Sequence, residues 1–177
     1  MQRQPIDPSR VTLPVFHTWD NQWFLLTAGD FETGKFNSMT VGWGAFGVMW
    51  KKPMALVVVR PTRHTFRFME EHRDFTVCSF GSGQRQALEF CGSHSGRDMD
   101  KIARCGLTPV ASTRVAAPGF DEAELIVECR KMYSDDFDPR RFLAEFIESN
   151  YPKKDYHRLY IGEVLAVFGT ARYTGSP

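Results

Sequence analysis

No apolar run in the chain approaches the roughly 18 residues that a membrane-spanning helix needs. The N-terminus, Met1 to Pro8, contains no apolar signal-peptide core, so the expectation is a cytoplasmic protein. A formal net charge of +1 gives no electrostatic reason to expect nucleic acid or an anionic membrane as a partner. The cysteines at 78, 91, 105 and 129 form no C-x-x-C pair and imply no disulfide framework. Cys91-Gly92-Ser93-His94 sets a thiol near an imidazole, but a closed zinc site takes four ligands and no second pair stands at suitable spacing, so no metal is expected. No Ser/His/Asp order, nucleophile elbow or paired-carboxylate arrangement points to hydrolysis. Internal repeats, low-complexity tracts and linkers are absent too. The expectation is a single domain over residues 1–177, with residues 1–20 and their 3 prolines wrapping the surface.

Aromatic residues, by contrast, are plentiful. Fifteen Phe and 4 Trp raise the aromatic share to 14%, which favours broad β surfaces or a pocket for a planar ligand over a helical bundle. Strand-like stretches rich in Val, Ile, Phe and Thr recur at Gln22–Ala28, Phe36–Val41, Met54–Arg60, Phe75–Phe80, Glu124–Met132 and Arg158–Phe168. Helices are expected over Thr65–His72, Gln84–Phe90, Arg97–Cys105 and Pro139–Ser149. Ser95 stands as a cap for the third, which Gly106 stops, and Asp138 caps the fourth, with proline at its first position. Strands outnumber helices without regular alternation, so a closed or nearly closed antiparallel barrel with peripheral helices is preferred to a doubly wound sheet.

One motif misleads. Gly42-Trp43-Gly44-Ala45-Phe46-Gly47 matches G-x-G-x-x-G after a strand, but a dinucleotide fingerprint must open a helix and be followed by an acidic residue on the next strand. Pro53 and a further strand follow instead, and the ribose position falls among Thr62, Arg63 and His64. The glycines then mark either a bulge or barrel corner, or a close approach of backbone to a ligand.

Three other segments carry chemistry. Arg60-Pro61-Thr62-Arg63-His64-Thr65 ends a strand and opens a helix, with Thr62 as its cap. Unpaired N–H groups at a helix start, two guanidiniums and two hydroxyls suit a phosphate; the alternative is a solvated helix start with surface arginines. Cys91 to Lys101 is a turn dense in hydroxyls and glycines, readable as a second ligand loop or simply as a well-capped helix. His157 directly precedes a strand and projects either into a site or into structural hydrogen bonds.

Taken in order, Asn37–Gly44, Arg60–Thr65, Cys91–Lys101 and Asp155–Val164 resemble the flavin reductase-like family of FMN-binding split barrels, and within it the flavoredoxin-like proteins. The resemblance implies a mainly β fold, an antiparallel Greek-key split β-barrel with a few peripheral helices. It further implies a homodimer with one FMN per subunit near the interface. Ser38, Met39, Thr40, Val41, Gly42 and Trp43 would line the isoalloxazine, chiefly through backbone groups, with Asn37 opening that segment. Arg60, Thr62, Arg63 and Thr65 would hold the phosphate end, and Ser93, Ser95, Gly96 and Lys101 would form the second loop of the site. His157 matches a family histidine on the nicotinamide side. The implied activity is FMN-dependent NAD(P)H:flavin oxidoreduction or flavoredoxin-type electron transfer, with NADH or NADPH as a transient donor and an acceptor the sequence does not name. The alternative is an FMN-binding protein with little turnover, serving storage or sensing. A barrel without cofactor is disfavoured by the paired phosphate features.

Overall fold

A computed structural model describes residues 2–174. Its strands are β1 (Gln4–Pro5), β2 (Phe24–Asp30), β3 (Lys35–Val41), β4 (Gly44–Met49), β5 (Lys52–Val59), β6 (Asp74–Phe80), β7 (Pro109–Val110), β8 (Gly119–Phe120), β9 (Ala123–Asp136) and β10 (Arg158–Gly169). The α-helices are α1 (Val15–His17), α2 (His64–Glu71), α3 (Arg85–Ser93) and α4 (Lys101–Arg104). Eight strands form one sheet in the order β3-β2-β6-β9-β10-β5-β4, with β1 added against β10. Every pairing is antiparallel. β5 and β6 are consecutive in sequence yet separated by β10 and β9, a Greek-key connection made through α2. Register shifts beside Gly162 and between Val164 and Ala166 bend the long β9–β10 ladder, as bulges do where a sheet curls toward a barrel.

β3 and β4 stand at opposite ends of the strand order, and only Gly42 and Trp43 lie between them in the chain. The chain therefore steps directly from one edge of the sheet to the other. A hydrogen-bonded ladder is missing there among the described strands, and this is where the barrel is split.

Alternation explains the core. Phe24, Leu26 and Ala28 of β2, Ala55, Val57 and Val59 of β5, Phe75 and Val77 of β6, and Leu125, Val127 and Cys129 of β9 share one buried cluster. Residues on the other face, Leu25, Cys78 and Ile126, join a second cluster under α3, with Leu88 and Cys91 from that helix and Ile102 from α4. β2 is consequently buried on both faces over Phe24–Gly29, which is why its sequence reads as an apolar run and not as an alternation.

Several sequence expectations change. The residues before β2 do more than wrap the surface: Ile6, Thr18 and Trp19 are buried, and Gln4–Pro5 adds a strand. The glycine-rich run is neither bulge nor corner beyond Gly44, because Gly44–Met49 pairs along β5 as an edge strand. Cys91–Ser93 completes α3, and the next helix begins only at Lys101, capped by Asp100 accepting from the Ile102 and Ala103 amides. Ser95 caps a single turn instead, accepting from the Arg97 amide at 3.2 Å. Gly106, at φ 64, ends α4 as expected. Pro139–Ser149 is not one helix but two 3₁₀ stretches, Pro139–Arg141 and Glu145–Asn150. Asp138 does cap Arg140, but Leu143 is 99% exposed and Phe146 also faces outward, so no buried apolar stripe carries the helix further.

Candidate functional site

The split opens into a groove of about 600 Å³. Met39, Thr40 and Val41 of β3, the Gly42-Trp43 step, Val58 at the end of β5, Arg60, Arg63 and His157 line it. Its opposite wall is Trp23 together with Leu88, Glu89, Gly92 and Ser93 of α3. A smaller cavity of about 140 Å³ shares Met39, Arg63 and Ser93 with the groove. The rest of its lining is Asn37, Thr62, His64, Thr65, His94, Ser95, Gly96, Arg97 and Lys101. The site is thus an aromatic groove joined to a small polar cavity.

The small cavity is rich in donors and cations, and among the described residues no carboxylate lines it. Burial lowers the pKa of Arg63, with further repulsion from Arg60. Burial also lowers the pKa of Lys101, and Arg63 adds to the effect. His64 is shifted down by desolvation first and then by the charges of Arg97, Arg67 and Lys101. Positive groups crowd each other here, an arrangement that a bound anion would relieve. Two carbonyls hold Lys101: its Nζ donates to Ser38 O at 2.8 Å and to Cys91 O at 3.0 Å. An ammonium has three donors, so one is left for the cavity. Asn37 Nδ2 donates to Thr65 Oγ1 at 2.7 Å, tying β3 to the first turn of α2. A Cβ on Gly96 would stand 2.0 Å from Asn37 Oδ1, so only glycine lets the loop close over that carboxamide.

The groove is built from stiffer parts. Thr40 Oγ1 donates to the Leu88 carbonyl at 2.5 Å, clamping β3 to α3. Trp23 adopts φ 66, and the Arg85 guanidinium lies 3.4 Å from its ring centroid. Trp43 is 48% exposed, and its ring centroid is 5.1 Å from that of His157. His157 is buried, with Nδ1 2.8 Å from the Tyr151 hydroxyl. Burial, aided by the charge of Arg60, lowers its pKa to about 4, so the ring is neutral at pH 7.

Most residues singled out in the sequence meet at this site, with three adjustments. Ser38 lines neither cavity: its hydroxyl is 2.7 Å from Thr27 Oγ1 in the sheet, and only its carbonyl contributes, by holding Lys101. Arg60 lines the groove and not the small cavity, because Asp155 at 2.7 Å and the Asn150 carbonyl at 2.8 Å hold it. Thr62 does not cap α2; Arg63 occupies the cap position, and Thr62 Oγ1 donates to Asp155 Oδ2 at 3.3 Å. Trp23, Val58, Leu88, Glu89, His64 and Arg97 line the site but were not assigned to it from sequence. For Arg97 and His64 the signal existed, since both sit inside the motifs already quoted; for Trp23 and Leu88 nothing local marks them.

The family model for the flavin reductase like domain matches residues 18–174, and the chain belongs to that family. Solved structures agree on the fold. The FMN-binding domain of a flavin reductases-like enzyme from Shewanella baltica OS155 matches with a TM-score of 0.69 at 18% identity, covering 95% of this chain and 77% of that one. Flavoredoxin of Desulfovibrio vulgaris (Miyazaki F) gives 0.66 at 22% identity over 92% and 73% of the two chains. Flavoredoxin from Methanosarcina acetivorans gives 0.68 at 23% identity over 99% and 79%. A search of curated proteins finds no significant match.

Proposed function

We propose that the protein is an FMN-dependent oxidoreductase that takes electrons from NADH or NADPH. The observation that carries this reading is the junction of groove and cavity, with an aromatic slot leading into a pocket of crowded cations without a carboxylate. The names of the structural neighbours, FMN-binding domain and flavoredoxin, support the same cofactor. FMN, when bound, supplies the hydride and electron chemistry, so no acid–base pair is required of the chain.

The chain's own residues bind and orient. Arg63 and the remaining Lys101 donor, with the hydroxyls of Thr65 and Ser95, which accept from Asn37 and the Arg97 amide and keep their own protons to donate, hold the phosphate. Trp23, Met39, Trp43 and Val58 exclude water along the ring. His157, neutral and fixed by Tyr151, positions the donor at the open side of the groove. We further propose a homodimer, because a two-fold contact would cover ring surface that an open groove leaves wet.

Anaerobic stopped-flow mixing of FMN-loaded protein with NADH and with NADPH tests the reading. Loss of the flavin absorbance with at least one donor is expected. Bound FMN that neither donor bleaches would instead support a binding protein with little turnover.

A further inference from the structure

Two thiols stand beside the site without a part in it. Cys91, in the last turn of α3, and Cys105, which caps the end of α4, have Sγ atoms 3.9 Å apart. Cys91 is fully buried. Cys105 is partly exposed and lines a separate depression of about 430 Å³ on the outer side of α3, beside Phe90 and Arg104. The segment between the two thiols contains Ser93, Ser95, Gly96, Arg97 and Lys101, which line the small cavity. Its ends are already drawn together by the Lys101 contact to the Cys91 carbonyl.

We propose that Cys91 and Cys105 form a disulfide when the protein meets hydrogen peroxide, closing the cation-bearing loop into a covalent ring. The thiol pair stands on its own geometry, while the loop's role as an anion site rests on the function proposed above. A disulfide needs the sulfurs at about 2.05 Å, so the pair must approach by about 2 Å, within reach of two short helix ends joined by a loop.

The chemistry balances with the peroxide as oxidant. Cys105, open to the depression, attacks the O–O bond as thiolate; its sulfur gains one oxygen, and the other oxygen leaves as water, taking up the thiol proton. Cys91 then attacks the Cys105 sulfur. The S–S bond forms, the S–O bond breaks, and the departing oxygen leaves as water with the Cys91 proton. Two thiols lose two electrons and one peroxide becomes two waters. Burial raises the Cys91 thiol to about 12, so it is inert toward solvent oxidants until Cys105 has been oxidised beside it. Cys78 and Cys129 are also fully buried and serve as internal controls.

The experiment treats FMN-loaded protein with hydrogen peroxide, alkylates free thiols in denaturant and maps the peptides by mass. The expected major product is a Cys91–Cys105 linked peptide, with Cys78 and Cys129 alkylated. Tryptic cleavage at the exposed Arg97 and Arg104 should slow by about fivefold, and dithiothreitol should restore it. Cys91→Ser should leave Cys105 as a sulfenic acid that dimedone captures. Cys105 found as sulfinic acid in the unaltered protein, or both thiols still alkylated, would overturn the proposal. The mass map reads the thiols whether or not flavin binds, and FMN titration of the treated protein reads the site separately.

Discussion

His157 is neutral because desolvation and the nearby Arg60 outweigh the attraction of Asp155. Its folded-state pKa of about 4 lies below the ordinary 6.5. As pH falls through that window the unfolded chain takes up a proton that the folded chain refuses, so stability falls with pH and levels off below about 4. We expect His157→Gln to remove about 2 kcal/mol of the loss between pH 7 and pH 4, measured as the difference between urea unfolding curves of the two proteins. Identical pH profiles would show that the ring titrates normally. Orientation, not proton transfer, is the role expected of this ring. His157→Asn should therefore keep most of the single-turnover reduction rate, while His157→Ala raises the donor's apparent KM. A fall of about 10²-fold in the saturated rate for Asn, with FMN still bound, would point to acid–base catalysis instead. Arg63→Ala should weaken FMN binding by about 1.5–3 kcal/mol and leave riboflavin nearly unaffected. Equal losses for both ligands would place Arg63 away from the phosphate. These residues were legible in sequence because each motif is a short contiguous run at a strand end. Arg60 misled for the opposite reason: the carboxylate that holds it, Asp155, lies 95 positions away.

At the level of elements, the β4–β5 hairpin carries a local cost. Met49 pairs with Lys52, leaving the two-residue turn Trp50-Lys51 with φ of 51 and 62. Such a turn prefers Asn-Gly, and neither residue here is suited to the left-handed region. Lys51→Gly should stabilise the protein by about 0.5–1 kcal/mol, read as a higher urea midpoint. A lower midpoint would mean that Lys51 makes contacts worth more than its backbone strain. The six strands with strong β-branched composition were legible, and boundaries moved by only a few residues. β4 was not, because an edge strand with two glycines and a single aromatic carries little β signal until β5 is there to pair with it. Residues 139–149 failed the other way: capping chemistry promised a helix, but Phe142 packs on Tyr151 and Tyr156 while Leu143 finds no core at all.

For the whole molecule, the decisive feature is the chain's passage from β3 to β4, opposite ends of the sheet, across Gly42-Trp43. That single step opens the groove and sets it against α3 and the start of α2. Strand order could not be read from the sequence alone, since β6 pairs with β2 and β9, and β10 with β5 and β9, across long separations. The walls supplied by Trp23 and Leu88 stayed hidden for the same reason. A small cationic cavity next to an aromatic groove predicts a ligand order as well as a ligand. The phosphate should add affinity over riboflavin, and the adenosine half of FAD should find no place beyond the 140 Å³ cavity. Calorimetric titration of flavin-free protein with FMN, riboflavin and FAD measures this directly. Tightest binding by FMN is predicted; riboflavin binding as well as FMN, or FAD binding more tightly, would contradict it.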